Sequence, residues 1–505
     1  MRKRRSKIGD QENRESKISE RGSGSREYKK MAENRDWEKR VDWIDGYIER
    51  IKPYVRVREA DSLLIKIPNQ THKLNPQGLK LLKFLFAGGR AVSVVEKYPE
   101  EKREEISLDM YYFFRDLMAI LKGCYNEKEE RRAVEKKEFA LGHNTLPVLS
   151  EIAVTYRCNL ACRFCYAGCG CRKDEAHPDL PAAELKEVLR MIKEEAEVPS
   201  VSFTGGEPLL RPEVPELVAY AKSLGMWANL ITNGTLATAE TVKKLKGAGL
   251  DSAQVSIEAG TARLHDAIAA HQGAFALTAR GIENIMKAGI RVHTNTTVSA
   301  LNKDKLEGIL DFVKSLGLDK FSMNLLMPVG SAGKNFDETF VSYSEAGPLV
   351  ERIKEMADKR GLEFMWYSPT PICIFNPITR GLGNKGCAAC DGLLSVAPDG
   401  DVLPCSSYPK PMGNMLREKG RFKEMWNRPE LAWFREKRFA HGKCRACGYL
   451  AVCNGGCPLY WEKTGYAELL AAAEALQNEE AARAVYAGAA PALLPERGAS
   501  LKETL

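Results

Sequence analysis

Cys158, Cys162 and Cys165 stand in the segment CNLACRFC, with three residues and then two between them. Three thiolates so close together can converge on one metal centre, and three is one fewer than an iron-sulfur cube or a structural zinc needs. An iron without a protein ligand can bind a substrate, whereas zinc would recruit a fourth thiolate, and Cys169 or Cys171 stands near enough in sequence. Eight more cysteines follow, Cys373, Cys387, Cys390, Cys405, Cys444, Cys447, Cys453 and Cys457. Eight thiolates suffice for two four-ligand clusters, although Cys444, Cys447, Cys453 and Cys457 in isolation also have the spacing of a zinc ribbon. The basic N-terminus lacks the apolar stretch of a secretory signal, so the fourteen cysteines are expected in a reducing compartment, the cytoplasm, as metal ligands rather than disulfides.

The elements that must position these residues are legible as periodic patterns. From 151 to about 330 short apolar runs alternate with helical stretches: EIAVTYRC, a helix near 182–196, SVSFTGGE, a helix near 213–224, WANLITNG, a helix near 238–248, AQVSIEAG, a helix at 275–288, RVHTNTTVS, a helix at 303–316 and FSMNLLMPVG. Six such units imply an α/β fold with a partial parallel (β/α)6 barrel, in which functional residues gather at the C-terminal strand ends. The three cysteines sit just after the first strand.

Upstream, YVRVREA, SLLIKIP and THKL read as three strands, followed by three helices; the first of these has Asn75 as cap and Pro76 at its start. In the third helix Met110, Phe113, Phe114, Leu117 and Leu121 share one face, as packing against a small sheet would require. Asp109 and Asp116 make this helix too acidic for the recognition helix of a DNA-binding winged domain. Residues 1–40 carry fourteen Lys or Arg against eight Asp or Glu, so most of the net charge of +8 lies in a polar tail expected to be disordered. The body has no basic groove for nucleic acid, and no apolar run is long enough to span a membrane.

Cys-x-x-x-Cys-x-Phe-Cys followed by TGGEP at the end of the second strand resembles the radical S-adenosylmethionine family. The resemblance implies a [4Fe-4S] cluster on Cys158, Cys162 and Cys165 whose open iron is chelated by the methionyl amine and carboxylate of AdoMet, and an external electron donor such as flavodoxin or ferredoxin. It further implies that Gly205, Gly206, Glu207 and Pro208 face the methionine amine, that Ser256 and Glu258 contact the ribose, and that Phe164 and Tyr166 line the adenine. One departure stands out: HDAIAAHQGAF has Ala269 and Ala270 where the family carries Arg-Gly, so the Arg for the AdoMet carboxylate is missing, with Arg263 and His271 nearby.

The downstream cysteines, CDGLLSVAPDGDVLPC and then CRACGYLAVCNGGC, resemble the SPASM extension, which holds two auxiliary [4Fe-4S] clusters. By that pattern Cys387, Cys390, Cys405 and Cys457 bind the first and Cys444, Cys447 and Cys453 the second, with Cys373 available to close it. Residues 54–124 resemble the winged-helix-like pyrroloquinoline quinone peptide chaperone (PqqD-like), in which a leader peptide adds a strand to an exposed edge, here Thr71 to Leu74, with His72 supplying a main-chain donor. The expected organisation is a tail at 1–40, a peptide recognition domain at 41–125, the radical core at 148–340, the cysteine-rich extension at 370–465 and a helical tail at 466–505. The resemblance implies a maturase of a ribosomally made peptide or protein. An enzyme acting on a small molecule of the tetrapyrrole type is the alternative, and an electron carrier is disfavoured because it would not need TGGEP beside an open iron. Cys124, Cys169 and Cys171 receive no role.

Overall fold

The computed structural model describes residues 36–123, 133–134, 144–169 and 178–486, and falls into two compact units, Met1–Glu138 and Phe139–Leu505. The N-terminal tail to residue 35, Cys124 and Cys171 lie outside the described residues.

The first unit opens with helix α1, Trp37–Ile51, which begins inside the stretch expected as tail. Asp36 caps it, accepting from the Lys39 N–H, and Val41, Ile44 and Ile48 recur at helical spacing to form one buried face. Seven charged residues interleaved with this stripe hide it in the sequence. Strands β1 (Val55–Arg58), β2 (Leu63–Lys66) and β3 (Gln70–Lys73) then form an antiparallel sheet in that order. Helix α2, Pro76–Phe86, starts on the expected cap: Asn75 Oδ1 accepts from the Gly78 N–H at 2.7 Å. After α3, Ala91–Glu96, the long α4, Glu100–Lys122, sends Met110, Phe114 and Leu117 into the core, with Phe113 and Leu121 packed on its margin. Arg40 of α1, 1% exposed, is ion-paired with Glu104 at 2.6 Å and donates to Ser107 Oγ at 2.7 Å, joining α1 to α4.

The register of this sheet decides which groups face its open edge. The Leu74 N–H donates to Ser62 O at 2.8 Å, and Leu64 pairs with His72 and Lys66 with Gln70. Alternation in an antiparallel ladder therefore turns His72 and Gln70 inward to β2, and leaves the main-chain groups of Thr71 and Lys73 on the outer side. The expectation that His72 offers an edge donor is corrected: its amide belongs to the sheet. No further strand pairs with β3 among the described residues.

The second unit is built on a ten-stranded sheet. Its alternating units are β4 (Leu149–Thr155), α5 (Ala182–Glu194), β5 (Ser200–Gly205), α6 (Val214–Ser223), β6 (Trp227–Thr232), α7 (Ala239–Gly247) and β7 (Ser252–Ser256). Two helices follow, α8 (Ala262–Ala269) and α9 (Ala274–Lys287), then β8 (Arg291–Val298), α10 (Glu307–Ser315), β9 (Lys320–Leu325), α11 (Tyr343–Arg360) and β10 (Glu363–Trp366). Beyond them lie β11 (Leu393–Val396), β12 (Asp401–Leu403) and β13 (Gly413–Asn414). The strand order is β10-β9-β8-β7-β6-β5-β4-β11-β12-β13.

Six parallel strands were expected and all six are present, but the parallel sheet is larger. β10 pairs parallel with β9, and β11 pairs parallel with the other side of β4 before β12 and β13 return antiparallel. The cysteine-rich extension is thus hydrogen-bonded to the strand that leads into CNLACRFC. The pairing runs in one line from β10 to β13 rather than in a ring. Apolar faces of α5, α6, α7, α9 and α10 pack on the sheet, with Leu189, Leu217, Leu245, Ile282 and Leu310 at 0–1% exposure. Beyond the sheet come α12 (Pro429–Arg435), α13 (Pro458–Thr464) and α14 (Ala467–Tyr486).

Candidate functional site

The loop that carries the three cysteines leaves β4 where the β4–β5 register shifts between Ala153 and Thr155. Its turns are pinned from several sides. Ala161 and Arg163 N–H groups donate to Ala269 O and Ile268 O at the end of α8, and the Ser331 N–H donates to Cys165 O at 2.8 Å. Leu160, Ala269 and Ala274 make a small apolar core against which Cys158 and Cys162 pack.

The three thiols face one another and one cavity of about 340 Å³ at the C-terminal ends of the strands. Burial pushes Cys158 up to about 11, with Glu207 and Cys165 adding to it, and Cys162 well above the usual thiol range, with Glu258, Cys165 and Cys158 adding to it. Cys165 is drawn down by a hydrogen bond from the Cys169 thiol, by burial in the opposing sense, and by the N–H groups of Cys169, Ala167 and Gly168. Cys169, which the sequence left without a role, is thus the hydrogen-bond partner of Cys165 on the cavity wall. Among the described residues no group of three or more His, Cys, Asp or Glu closes around a single ion; thiols directed at the corners of a larger cluster have the required donor chemistry.

Phe164, Tyr166, Gly205, Gly206, Ser256 and Glu258 all line this cavity. Glu207 and Pro208 do not. Glu207 is fully buried, its Oε1 accepting from Leu209 N–H at 3.0 Å and Thr232 Oγ1 at 2.7 Å, and its Oε2 from Asn233 N–H at 2.8 Å. The carboxylate that was expected to face the methionine amine instead ties TGGEP to the end of β6; burial pushes it up to about 7 against those donors. The two glycines are required by the approach of backbones: a Cβ at Gly205 would lie 2.1 Å from Thr155 O, and one at Gly206 2.2 Å from Arg157 O. A residue with a side chain at either place would push the second strand end away from the cysteine loop.

The opposite wall contains residues that the sequence did not disclose. Glu258, pushed up to about 8 by burial, has Oε2 fixed by the Thr297 N–H at 2.9 Å. Its own N–H donates to His265 Nδ1 at 3.1 Å, which sets the tautomer and leaves Nε2 as the donor. His265 is 2% exposed, Nε2 is buried without a hydrogen-bond partner, and the ring lines the cavity. Burial holds the ring down to about 4, opposed by Asp266, so it is a neutral donor at physiological pH. Ala269, one helical turn on, lines the same cavity, whereas Arg263 and His271 are exposed and lie outside its walls. The missed signal was helix α8 itself: placing HDAIAA on a helix puts 265 and 269 on one face. Gln254, Asn295 and Asn324 project from successive strands to make a polar floor, with Asn295 Nδ2 donating to Asn324 Oδ1 at 2.8 Å.

The remaining eight cysteines separate into two sets of four. Cys387 interacts with Cys390, Cys405 and Cys457. Cys373 interacts with Cys453, Cys444 and Cys447, and the Ile372 N–H donates to Cys453 Sγ at 3.3 Å. Cys457, the N-terminal neighbour of α13, therefore keeps company with the first set, and the zinc-ribbon grouping of Cys444, Cys447, Cys453 and Cys457 is not formed. Burial pushes Cys390 and Cys457 up to about 12 and Cys444 up to about 11. No two of the twelve described cysteines are joined by a disulfide.

A second cavity, of about 400 Å³, adjoins the first and shares Tyr166, Ser406 and Ser407 with it; Tyr156, Tyr408 and Lys334 complete its character. Ser406 and Ser407 directly follow Cys405.

Comparison with known proteins agrees with this geometry. Residues 152–313 match the radical SAM superfamily and residues 387–448 an iron-sulfur cluster-binding domain, SPASM. The AdoMet-dependent heme synthase of Methanosarcina barkeri is 31% identical over 61% of this chain and 90% of its own length. The mycofactocin maturase MftC of Mycolicibacterium smegmatis is 27% identical over 65% of this chain and 81% of its own. Among solved structures, SuiB of Streptococcus suis bound to its precursor peptide SuiA superposes with a TM-score of 0.58 at 16% identity, over 82% of this chain and 95% of that one. With the cysteine loop and the glycine turn both falling inside the first matched segment, the chain belongs to the radical SAM superfamily and is an enzyme of its iron-sulfur, SPASM-bearing branch.

Proposed function

We propose that this enzyme is a maturase that modifies a ribosomally synthesised peptide or protein, capturing it through the first unit. The single observation that carries this reading is the open edge of β3, where Thr71 and Lys73 present main-chain groups on a separately folded unit that has no cysteine among its described residues. A body without chemistry but with a free strand edge is built to bind an extended peptide.

In the second unit Cys158, Cys162 and Cys165 would hold the reactive [4Fe-4S] cluster, with Cys387, Cys390, Cys405 and Cys457 and then Cys373, Cys444, Cys447 and Cys453 holding two auxiliary ones. When loaded, the cluster and AdoMet supply an electron and a hydrogen-abstracting 5′-deoxyadenosyl radical. The chain's own residues orient the cosubstrate: Phe164 and Tyr166 as its aromatic wall, Gly205 and Gly206 as close backbone, Ser256 and Glu258 at the end of β7, and His265 as a neutral Nε2–H donor. Substrate would approach through the adjoining 400 Å³ cavity, which shares the wall of Tyr166, Ser406 and Ser407 with the cavity of the three cysteines. A flavodoxin or ferredoxin serves as electron donor, in the reducing cytoplasm where eleven ligand thiols stay free. No helix among the described residues is long and apolar enough to cross a membrane.

A tetrapyrrole substrate is the second reading, favoured by one specific observation, the 31% identity to a heme synthase. Calorimetry with the full chain separates the two. The peptide encoded by the reading frame beside this gene is expected to bind, and Thr71→Pro, which removes one edge donor, to weaken it about fivefold, the value of roughly 1 kcal/mol for a hydrogen bond. No peptide binding, together with binding of a propionate-bearing iron porphyrin, overturns the maturase reading.

A further inference from the structure

The set Cys387, Cys390, Cys405 and Cys457 has two cations beside it, Lys437 and Arg435. Lys437 is 0% exposed, yet its Nζ has only the Cys387 carbonyl oxygen at 2.8 Å and, more distantly, Asp391 Oδ2 at 3.9 Å. Asp391 Oδ1 is itself buried without a hydrogen-bond partner. Arg435, at the end of α12, donates from Nε to Cys390 O at 2.6 Å and lies over the Trp426 ring at 5.0 Å.

A buried ammonium with one carbonyl and one remote carboxylate is poorly compensated when all four neighbouring thiols are neutral. It becomes compensated when they are thiolates around a cluster of net negative charge. The backbone supports the same assignment: Lys437 at φ 50° and Cys390 at φ 54° both occupy the left-handed region, where a non-glycine residue is strained. Both the cation and the ligand it faces are held in costly conformations.

We infer that Lys437 and Arg435 raise the reduction potential of the cluster held by Cys387, Cys390, Cys405 and Cys457, with Asp391 as a partial counterweight. One-electron reduction adds one negative charge and no proton to the cluster, and two cations in a low-dielectric surrounding stabilise that charge. The inference rests on the reading that these eight cysteines hold two clusters.

The test is an electron paramagnetic resonance titration with dithionite, on reconstituted full-length protein in which Cys158, Cys162 and Cys165 are Ala, so that only the auxiliary couples remain. Lys437→Gln keeps a donor for the Cys387 carbonyl but removes the charge. It is expected to lower the reduced-to-oxidised ratio of one couple about tenfold at fixed potential, ~59 mV for one electron, and to leave the other couple in place. Lys437→Arg is expected to restore the ratio. Asp391→Asn, which leaves Lys437 intact, is expected to raise it, a reversal of sign that a purely structural role would not give. Iron for two clusters with neither couple moved by Lys437→Gln or Asp391→Asn overturns the inference alone. A parent protein that binds iron for fewer than two clusters overturns the reading of the cysteines beneath it.

Discussion

At the scale of single residues, the cysteines were legible because thiolate chemistry is written in spacing, whereas the roles of Glu207 and His265 depend on where a side chain turns. Glu207 follows two glycines at a strand end, as an AdoMet-facing carboxylate would, but three donors from the next strand end and its own turn claim it. His265 is invisible in a sequence because its unpartnered Nε2 matters only once the Glu258 N–H has fixed Nδ1. Replacing His265 with Phe is expected to weaken AdoMet binding to the reconstituted enzyme roughly tenfold, the worth of one or two kcal/mol from a buried hydrogen bond, with iron content unchanged; equilibrium dialysis measures it. The same ring makes stability pH-dependent. Its folded pKa is depressed to about 4, as is that of His293, so the unfolded chain binds more protons between about 6.5 and 4. Stability is therefore lost as pH falls through that window, and denaturant titrations of a His265→Gln, His293→Gln protein should show a flatter acid limb. Cys373→Ala is expected to lower iron content or alter the auxiliary spectrum, since Cys373 faces the other three thiols of its set.

At the scale of elements, the strong periodic patterns held: six strands and their helices appear where alternation placed them, because each buries a continuous apolar face. What escaped were elements whose pattern is short or interrupted. α1 carries a charge at nearly every other position. β10 and β11 have four residues each, and β11 lies within a cysteine run that spacing had already claimed for ligation. Register, too, is a property of pairs, so the outward-facing residues of β3 emerged only when Leu74 was seen bonded to Ser62. The consequence is a contrast between adjacent positions. His72→Pro removes an internal sheet bond and is expected to lower the melting temperature of the full chain, while Thr71→Pro is expected to leave it nearly unchanged and to act on peptide binding alone.

At the scale of the whole molecule there are two units, one with an open strand edge and no cysteine among its described residues, the other holding three groups of thiols. The pairing of β11 with β4 joins the segment between Cys390 and Cys405 to the strand that carries the cysteine loop. Replacement of Cys158, Cys162 and Cys165 by Ala is expected to abolish 5′-deoxyadenosine formation while retaining auxiliary iron, which anaerobic reconstitution and chromatography can establish. The most direct measurement for the maturase reading is mass spectrometry of the peptide encoded beside this gene after incubation with reconstituted enzyme, AdoMet and dithionite. A mass change in the peptide that requires AdoMet, and that is lost when residues 40–125 are removed, is the expected result. An unaltered peptide, with a propionate-bearing iron porphyrin consumed under the same conditions, would contradict it.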